Sequence, residues 1–264
     1  MKVYGKFVLF ALGWGILFSV YGAITCTDGY DLQALVIAVA FGNLGACNQI
    51  TVAVLLEKMV PYFLYIVLFS VYIYRHFCDC SVYFFSRCVK RWEWLLREEI
   101  KLFAYSLLYM LFMVMGRLLP FVWCGELQID LTGIIMMLVM VIMLTVWLFT
   151  ASLLGNILAL LFGSMYGVVI TLAIQIFSVL SLMWVDTSHL NAAQILKLRL
   201  NYSAHLIFSW HKWGEMDLEA MDELKAHLAL GESFLFLGVT AVVVVILGMI
   251  IISKMDIIQE SKEE

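Results

Sequence analysis

Proline is nearly absent from this chain of 264 residues, with Pro61 and Pro120 the only two. Charge is scarce as well, at 14% of residues against 64% hydrophobic, and the mean hydropathy is +0.99. A soluble domain carries about 25% charge and could not hide this much apolar surface in a core, so the composition points to lipid as the solvent. The alternating polarity of a membrane barrel is missing too, which leaves helices as the way to satisfy the backbone in hydrocarbon. The expected fold class is therefore all-α, a single transmembrane domain over 1–264. No small-x-small site closes a short apolar core after Lys2 and Lys6, so the first apolar run is expected to stay in the membrane. The six cysteines, at 26, 47, 78, 80, 88 and 124, have no framework spacing and indicate neither a disulfide scaffold nor a redox compartment.

A span needs about 20 apolar residues. That measure places six, at about 7–26, 59–76, 101–123, 133–154, 162–184 and 234–252. The stretch 133–184 has no charge for 52 residues, too long for one helix, and Gly155-Asn156 or Gly163-Ser164 would supply the turn of a tight hairpin. Orientation follows from Lys and Arg in the short flanks. Lys2 and Lys6, and the six basic residues Arg75, Arg87, Lys90, Arg91, Arg97 and Lys101, belong in the cytoplasm. The connections 27–35 and 124–133 hold Asp28, Asp31, Glu126 and Asp130 without Lys or Arg, and read as outside. Both termini are then cytoplasmic. The segment 36–56 is expected to be an outer-leaflet or re-entrant element, because Gly42, Asn43, Gly45, Asn48, Gln49 and Thr51 interrupt its lipid-facing surface; a seventh span is the alternative. The region 185–233 is acidic and reads as outside, with amphipathic helices at 190–210 and 215–228 packed on the outer membrane face.

The stretch 78–100 is expected to be a cytoplasmic helix between the second and third spans. On it, Arg87, Lys90, Arg91, Trp94, Arg97 and Lys101 form one stripe, and Phe85, Cys88, Val89, Trp92, Leu95 and Leu96 the other. It would lie at the membrane surface, its arginines on anionic lipid and its tryptophans at headgroup depth, or it would dock a soluble partner. The order of elements, with Val82-Tyr83-Phe84-Phe85-Ser86-Arg87 followed by Lys90-Arg91-Trp92 running into the third span, resembles the permease subunits of small bacterial type 2 ABC exporters of the bacteriocin or peptide export and immunity type. The resemblance implies a coupling helix that fits a cleft on a separate ATPase subunit, with Phe85, Ser86, Arg87, Lys90, Arg91 and Trp92 as the ATPase contacts. It further implies a bacterial cell membrane, a second permease copy or a similar subunit, and export of a hydrophobic or amphipathic substrate such as a peptide. A non-transporting scaffold, sensor or immunity protein is the alternative.

No G-x-x-x-x-G-K-[ST] loop occurs, so the chain is not expected to be an enzyme; ATP and Mg would sit on the partner, and this chain would hold no cofactor of its own. No nucleic-acid partner is expected. Intramembrane proteolysis finds no support: Glu98-Glu99 is followed by Phe103 where an Arg would be needed, and Gly163-Ser164-Met165-Tyr166-Gly167 has the wrong spacing for a serine nucleophile box. His76, Cys78, Cys80 and Cys88 lack the C-x-x-C spacing of structural zinc and read as interfacial residues. His189, His205, His211 and His227 have no i, i+4 pair and read as surface histidines. Cys26 and Cys124 share the outer edge, but spacing alone cannot show whether they bond. Arg117 is the one charge inside a span. It is expected either to snorkel outward or to face the interior, paired with Glu126 or with a substrate, as part of the substrate path or its gate.

Overall fold

The computed structural model describes residues 2–25, 30–39, 52–84, 91–124, 127–182, 192–211 and 229–254. Their helices are α1 Lys2–Thr25, α2 Leu32–Val39, α3 Val52–Phe69, α4 Tyr72–Phe84, α5 Arg91–Cys124, α6 Leu131–Phe162, α7 Ser164–Leu182, α8 Ala192–Leu200 and α9 Leu230–Lys254. Among the described residues, five stretches are long and apolar enough to cross a membrane: Met59–Cys78, Arg91–Trp123, Leu131–Phe162, Ser164–Leu182 and Leu230–Lys254. The all-α class holds. The sixth expected span, 7–26, falls on α1, which packs along α5 in the most extensive helix pairing of the bundle.

That pairing rests on two glycines. A Cβ at Gly116 would collide with the Leu12 carbonyl, and one at Gly15 with the backbone of Met113 and Arg117, so the helices meet backbone to backbone. Lipid supplies no hydrophobic force between helices, and close van der Waals contact over small residues takes its place. The same device closes the hairpin of α6 and α7. Gly163, at φ +91°, makes the turn, and a Cβ at Gly167 would strike the backbone of Ala159.

The turn falls at Gly163-Ser164, one of the two expected positions, and α6 runs eight residues past the expected end of the fourth span at 154. Helix α6 continues through Gly155 and Asn156 because both are used sideways. Ser70 and Val71 interrupt the second span between α3 and α4, and Gly155 leaves the space in which Ser70 sits. Asn156 enters the break itself. Its Oδ1 accepts the backbone N–H groups of Ile73 (2.7 Å) and Tyr74 (3.2 Å), while its Nδ2 donates to the carbonyls of Phe69 (2.7 Å) and Ser152 (2.8 Å). One side-chain amide thus stands in for the missing Ile73-to-Phe69 helical bond. A side chain inserted into the ladder is one of the few causes of a sharp helix break.

Three further boundaries differ from the sequence reading. Residues 52–56 belong to α3 and so to the second span, while α2 is a short helix that buries Leu32, Leu35 and Val36 against α6; the rest of 36–56 lies outside the described residues. The expected helix 190–210 ends at Leu200, because the Asn201 side chain accepts the N–H groups of Ser203 (2.8 Å) and Ala204 (3.2 Å) and turns the chain into two short 3-10 turns. These turns are not laid on a membrane face: Ala204 to Phe208, Trp210 and His211 are all buried in the protein. The expected helix 215–228 lies outside the described residues.

The connectors read as outside do lie together. Tyr30 and Asp31 pair in parallel with Leu127 and Gln128, and the Gln33 amide donates to the Asp130 carboxylate. Above the glycine crossing, the core is aromatic, with Tyr65 stacked on Phe69 at 4.3 Å and Tyr62 edge-on to Trp147 at 5.6 Å.

Replacing Asn156 by Leu strands two buried amides and a carbonyl, each worth about 1–3 kcal/mol when left unpaired. The detergent-purified Asn156→Leu variant is expected to unfold at a clearly lower temperature than the parent, with Asn156→Asp, which keeps only the acceptor, falling between. Equal midpoints would show that the break closes without the splint.

Candidate functional site

The segment expected to meet a partner begins at the end of α4 and continues into α5. Helix α5 has 34 residues, about 51 Å at 1.5 Å per residue, against about 30 Å of hydrocarbon. It is therefore longer than the hydrocarbon requires, and the charges of Arg91, Arg97 and Lys101 assign the surplus to its first turns. They do not form a separate surface helix: 78–84 is the end of α4, 91–101 is the start of the third span's own helix, and Phe85, Ser86, Arg87 and Lys90 lie outside the described residues. The phase of 91–101 is accordingly set by the α5 core below it. Leu95, Glu98, Glu99, Leu102 and Ser106 are buried in sequence down one face. Trp94, expected on the basic stripe, instead packs on Phe77 at 6.3 Å, and Trp92, expected on the apolar stripe, is 44% exposed.

Glu98 joins α4 to α5. It accepts from Tyr72 Oη (2.9 Å) and from His76 Nδ1 (3.3 Å) on α4, and from Lys101 Nζ (2.6 Å) one turn along. His76 is thereby turned toward a carboxylate, and no group of three or more metal-binding side chains occurs among the described residues. Cys78 is exposed and forms no disulfide among the described residues; Cys88 and Cys26 lie outside them. Glu99, next to Glu98, is 2% exposed, and neither of its carboxyl oxygens has a hydrogen-bond partner among the described residues. It faces α9 where Gly248 leaves room for it.

Arg117 is inside the bundle rather than snorkelling, at 6% exposure. Its Nε finds no hydrogen-bond partner among the described residues, and Glu126, the expected partner, lies outside them. Its charge bears on Tyr62, whose ring meets Trp147, and Trp147 Nε1 donates to Gln175 Oε1 at 3.1 Å. A line of polar groups thus crosses from α5 through α3 and α6 to α7.

Two histidines read from sequence as surface residues are buried. His205 and His211 both point a ring nitrogen at Ser233 Oγ, at 2.8 Å each. Their other nitrogens face the carbonyls of Arg199 (2.9 Å) and Ile207 (3.0 Å) and must therefore donate. Both nitrogens facing Ser233 are then acceptors in the neutral rings, while a serine has one proton to give. Burial holds His205 below its ordinary pKa, against the opposing pull of the Arg199 carbonyl and Glu232, and pushes His211 down to about 4. Both rings are neutral at pH 7, and Ser233 serves one of them at a time. Nothing in the spacing of the histidines signals this, because Ser233 comes from α9.

Glu98→Ala removes the acceptor that holds α4 to α5 and is expected to lower the unfolding midpoint of the purified protein, whereas Glu99→Leu, which replaces an unpartnered buried carboxyl by an apolar group of similar size, raises it. The reverse order would overturn the assignment of these two neighbours. Because the folded histidine pKa values lie below the unfolded value of about 6.5, the unfolded chain binds more protons between pH 6.5 and 4. Stability is complete above that window and declines as pH falls through it. Unfolding midpoints measured across it are expected to drop, and His211→Asn to flatten the slope; a parent protein equally stable at pH 4.5 and 7.5 would refute the buried pair.

Comparison of the chain with known protein families, characterised proteins and solved structures finds no match.

Proposed function

We propose that the chain is the membrane-spanning permease subunit of an ATP-driven, ABC-type exporter that moves a hydrophobic or amphipathic substrate such as a peptide, with ATP hydrolysed by a separate subunit. The observation that carries the reading is the joining of α4 to the charged start of α5 through Glu98. A soluble protein gripping the end at Arg91 and Trp92 would act on the second and third spans together, because Glu98 and the contact of Phe77 with Trp94 join them. Work in such a system comes from the partner's different affinity for two membrane conformations.

Charge placement supports the orientation. Lys6, Arg75, Arg91, Arg97, Lys101 and Lys254 lie toward one end of the bundle, and Asp31 and Asp130 toward the other. By the distribution of Lys and Arg, the first end is cytoplasmic and the β-paired end is outside, in a bacterial cell membrane. Helices α7 and α9 leave most of their apolar surface uncovered, which suits lipid and a second copy or similar subunit along the transport path.

Co-purification tests the reading. An ATPase subunit is expected to accompany the chain in stoichiometric amount, and Trp92→Ala or Arg87→Glu to reduce its capture about tenfold or more, the effect of truncating an interface anchor, while membrane insertion is unchanged. Absence of any ATPase would favour the non-transporting scaffold, and capture unaffected by both variants would move the docking surface elsewhere.

A further inference from the structure

Beside α7 lies a cavity of about 1070 Å³, bounded by α6, α8 and α9. Its polarity is graded along α7. From Val169 through Ala173 to Phe177 the α7 wall is apolar except for Gln175, whose Oε1 accepts from Trp147 Nε1, and Leu154 and Val244 flank it from α6 and α9 beside Thr150 and Thr240. Beyond Phe177 the lining becomes Ser178, Ser181 and Asn201. This polar end is built before any ligand arrives: Asn201 Nδ2 donates to the Ser178 carbonyl (2.8 Å) and to Ser181 Oγ (2.7 Å), and Ser178 Oγ donates to Asn201 Oδ1 (2.9 Å). Lys197 stands at its rim, exposed, and makes no ion pair among the described residues. The neighbouring cation, Arg199, is engaged at 3.9 Å with Glu232.

Dimensions select the occupant. The apolar section covers eight residue steps, about 12 Å at 1.5 Å per residue, and half of a bilayer's hydrocarbon is about 15 Å. We propose that this cavity is a binding site for an anionic lipid from the leaflet on the α7 C-terminal side, its acyl chain lying between α7 and α9 and its phosphate meeting Lys197. The site does not depend on the transport reading, since a permease for another substrate and a scaffold could both carry it.

The experiment uses the full chain in mixed micelles with diazirine-bearing phosphatidylglycerol or phosphatidylcholine, irradiated and mapped by peptide mass spectrometry. Phosphatidylglycerol is expected to label 169–177 about fivefold more than phosphatidylcholine, the factor one cation contributes at a membrane surface. Lys197→Glu is expected to remove that preference and Lys197→Arg to keep it. Ala173→Trp, which fills the shaft, is expected to abolish labelling of 169–177 by both lipids while other spans stay labelled. Equal labelling by both lipids, or labelling that Lys197→Glu and Ala173→Trp leave unchanged, would reduce the site to ordinary boundary lipid. Displacement of the label by an amphipathic peptide would assign the cavity to peptide and overturn the lipid proposal.

Discussion

A backbone amide in hydrocarbon has no water to fall back on, and the second span breaks this rule at Ser70 and Val71. Everything around the break follows from how Asn156 repairs it. The repair requires α6 to pass within hydrogen-bonding distance of the interrupted turn, which explains why Gly155 has no side chain and why α6 cannot end at 154. It also fixes the register of α6 against the second span, because an amide that reaches Ile73, Tyr74 and Phe69 at once fits at one height only. A break repaired in this way is better defined than an unbroken helix would be. Past the break, Tyr72 and His76 on α4 reach Glu98 on α5.

The pairing of α4 with α5 is therefore anchored at two depths. The Asn156 splint holds the root of α4 in the bundle, and Glu98 ties its middle to α5. Helix α5 in turn is held to α1 by the meeting of Gly15 and Gly116, close to the opposite face.

The spans were legible in the sequence because uncharged length is a property of the chain alone. That the two acidic connectors share one end of the bundle was legible too, since the segments of Asp31 and Asp130 meet across the parallel β pair. What could not be read was every feature whose partner is remote in sequence. Asn156 was visible as a polar residue in an apolar run, but a turn is the cheaper explanation until Ser70 is known to be opposite. Trp92 and Trp94 exchanged faces because the amphipathic plan of 78–100 was read as that of an isolated helix, whereas the phase of 91–101 is inherited from Leu102, Ser106 and Tyr109 below. His205 and His211 read as surface residues from sequence because the hydroxyl between them arrives from another helix.

The buried polar groups of this bundle divide by whether they are satisfied. Asn156 and Asn201 each repair backbone at a place where a helix stops, and their hydrogen bonds account for them fully. Glu99 and Arg117 repair nothing. They lie on the same helix, eighteen residues or about 27 Å apart, too far to neutralise each other, and each leaves polar atoms without a partner among the described residues. An ionisable group kept inside a membrane bundle at that expense, with no structural return, is the pattern expected of a working residue rather than a packing residue. Gly248 opens space on α9 for Glu99, and the line from Arg117 to Gln175 runs toward α7. Both ionisable groups therefore lie toward the two helices that expose most of their apolar surface.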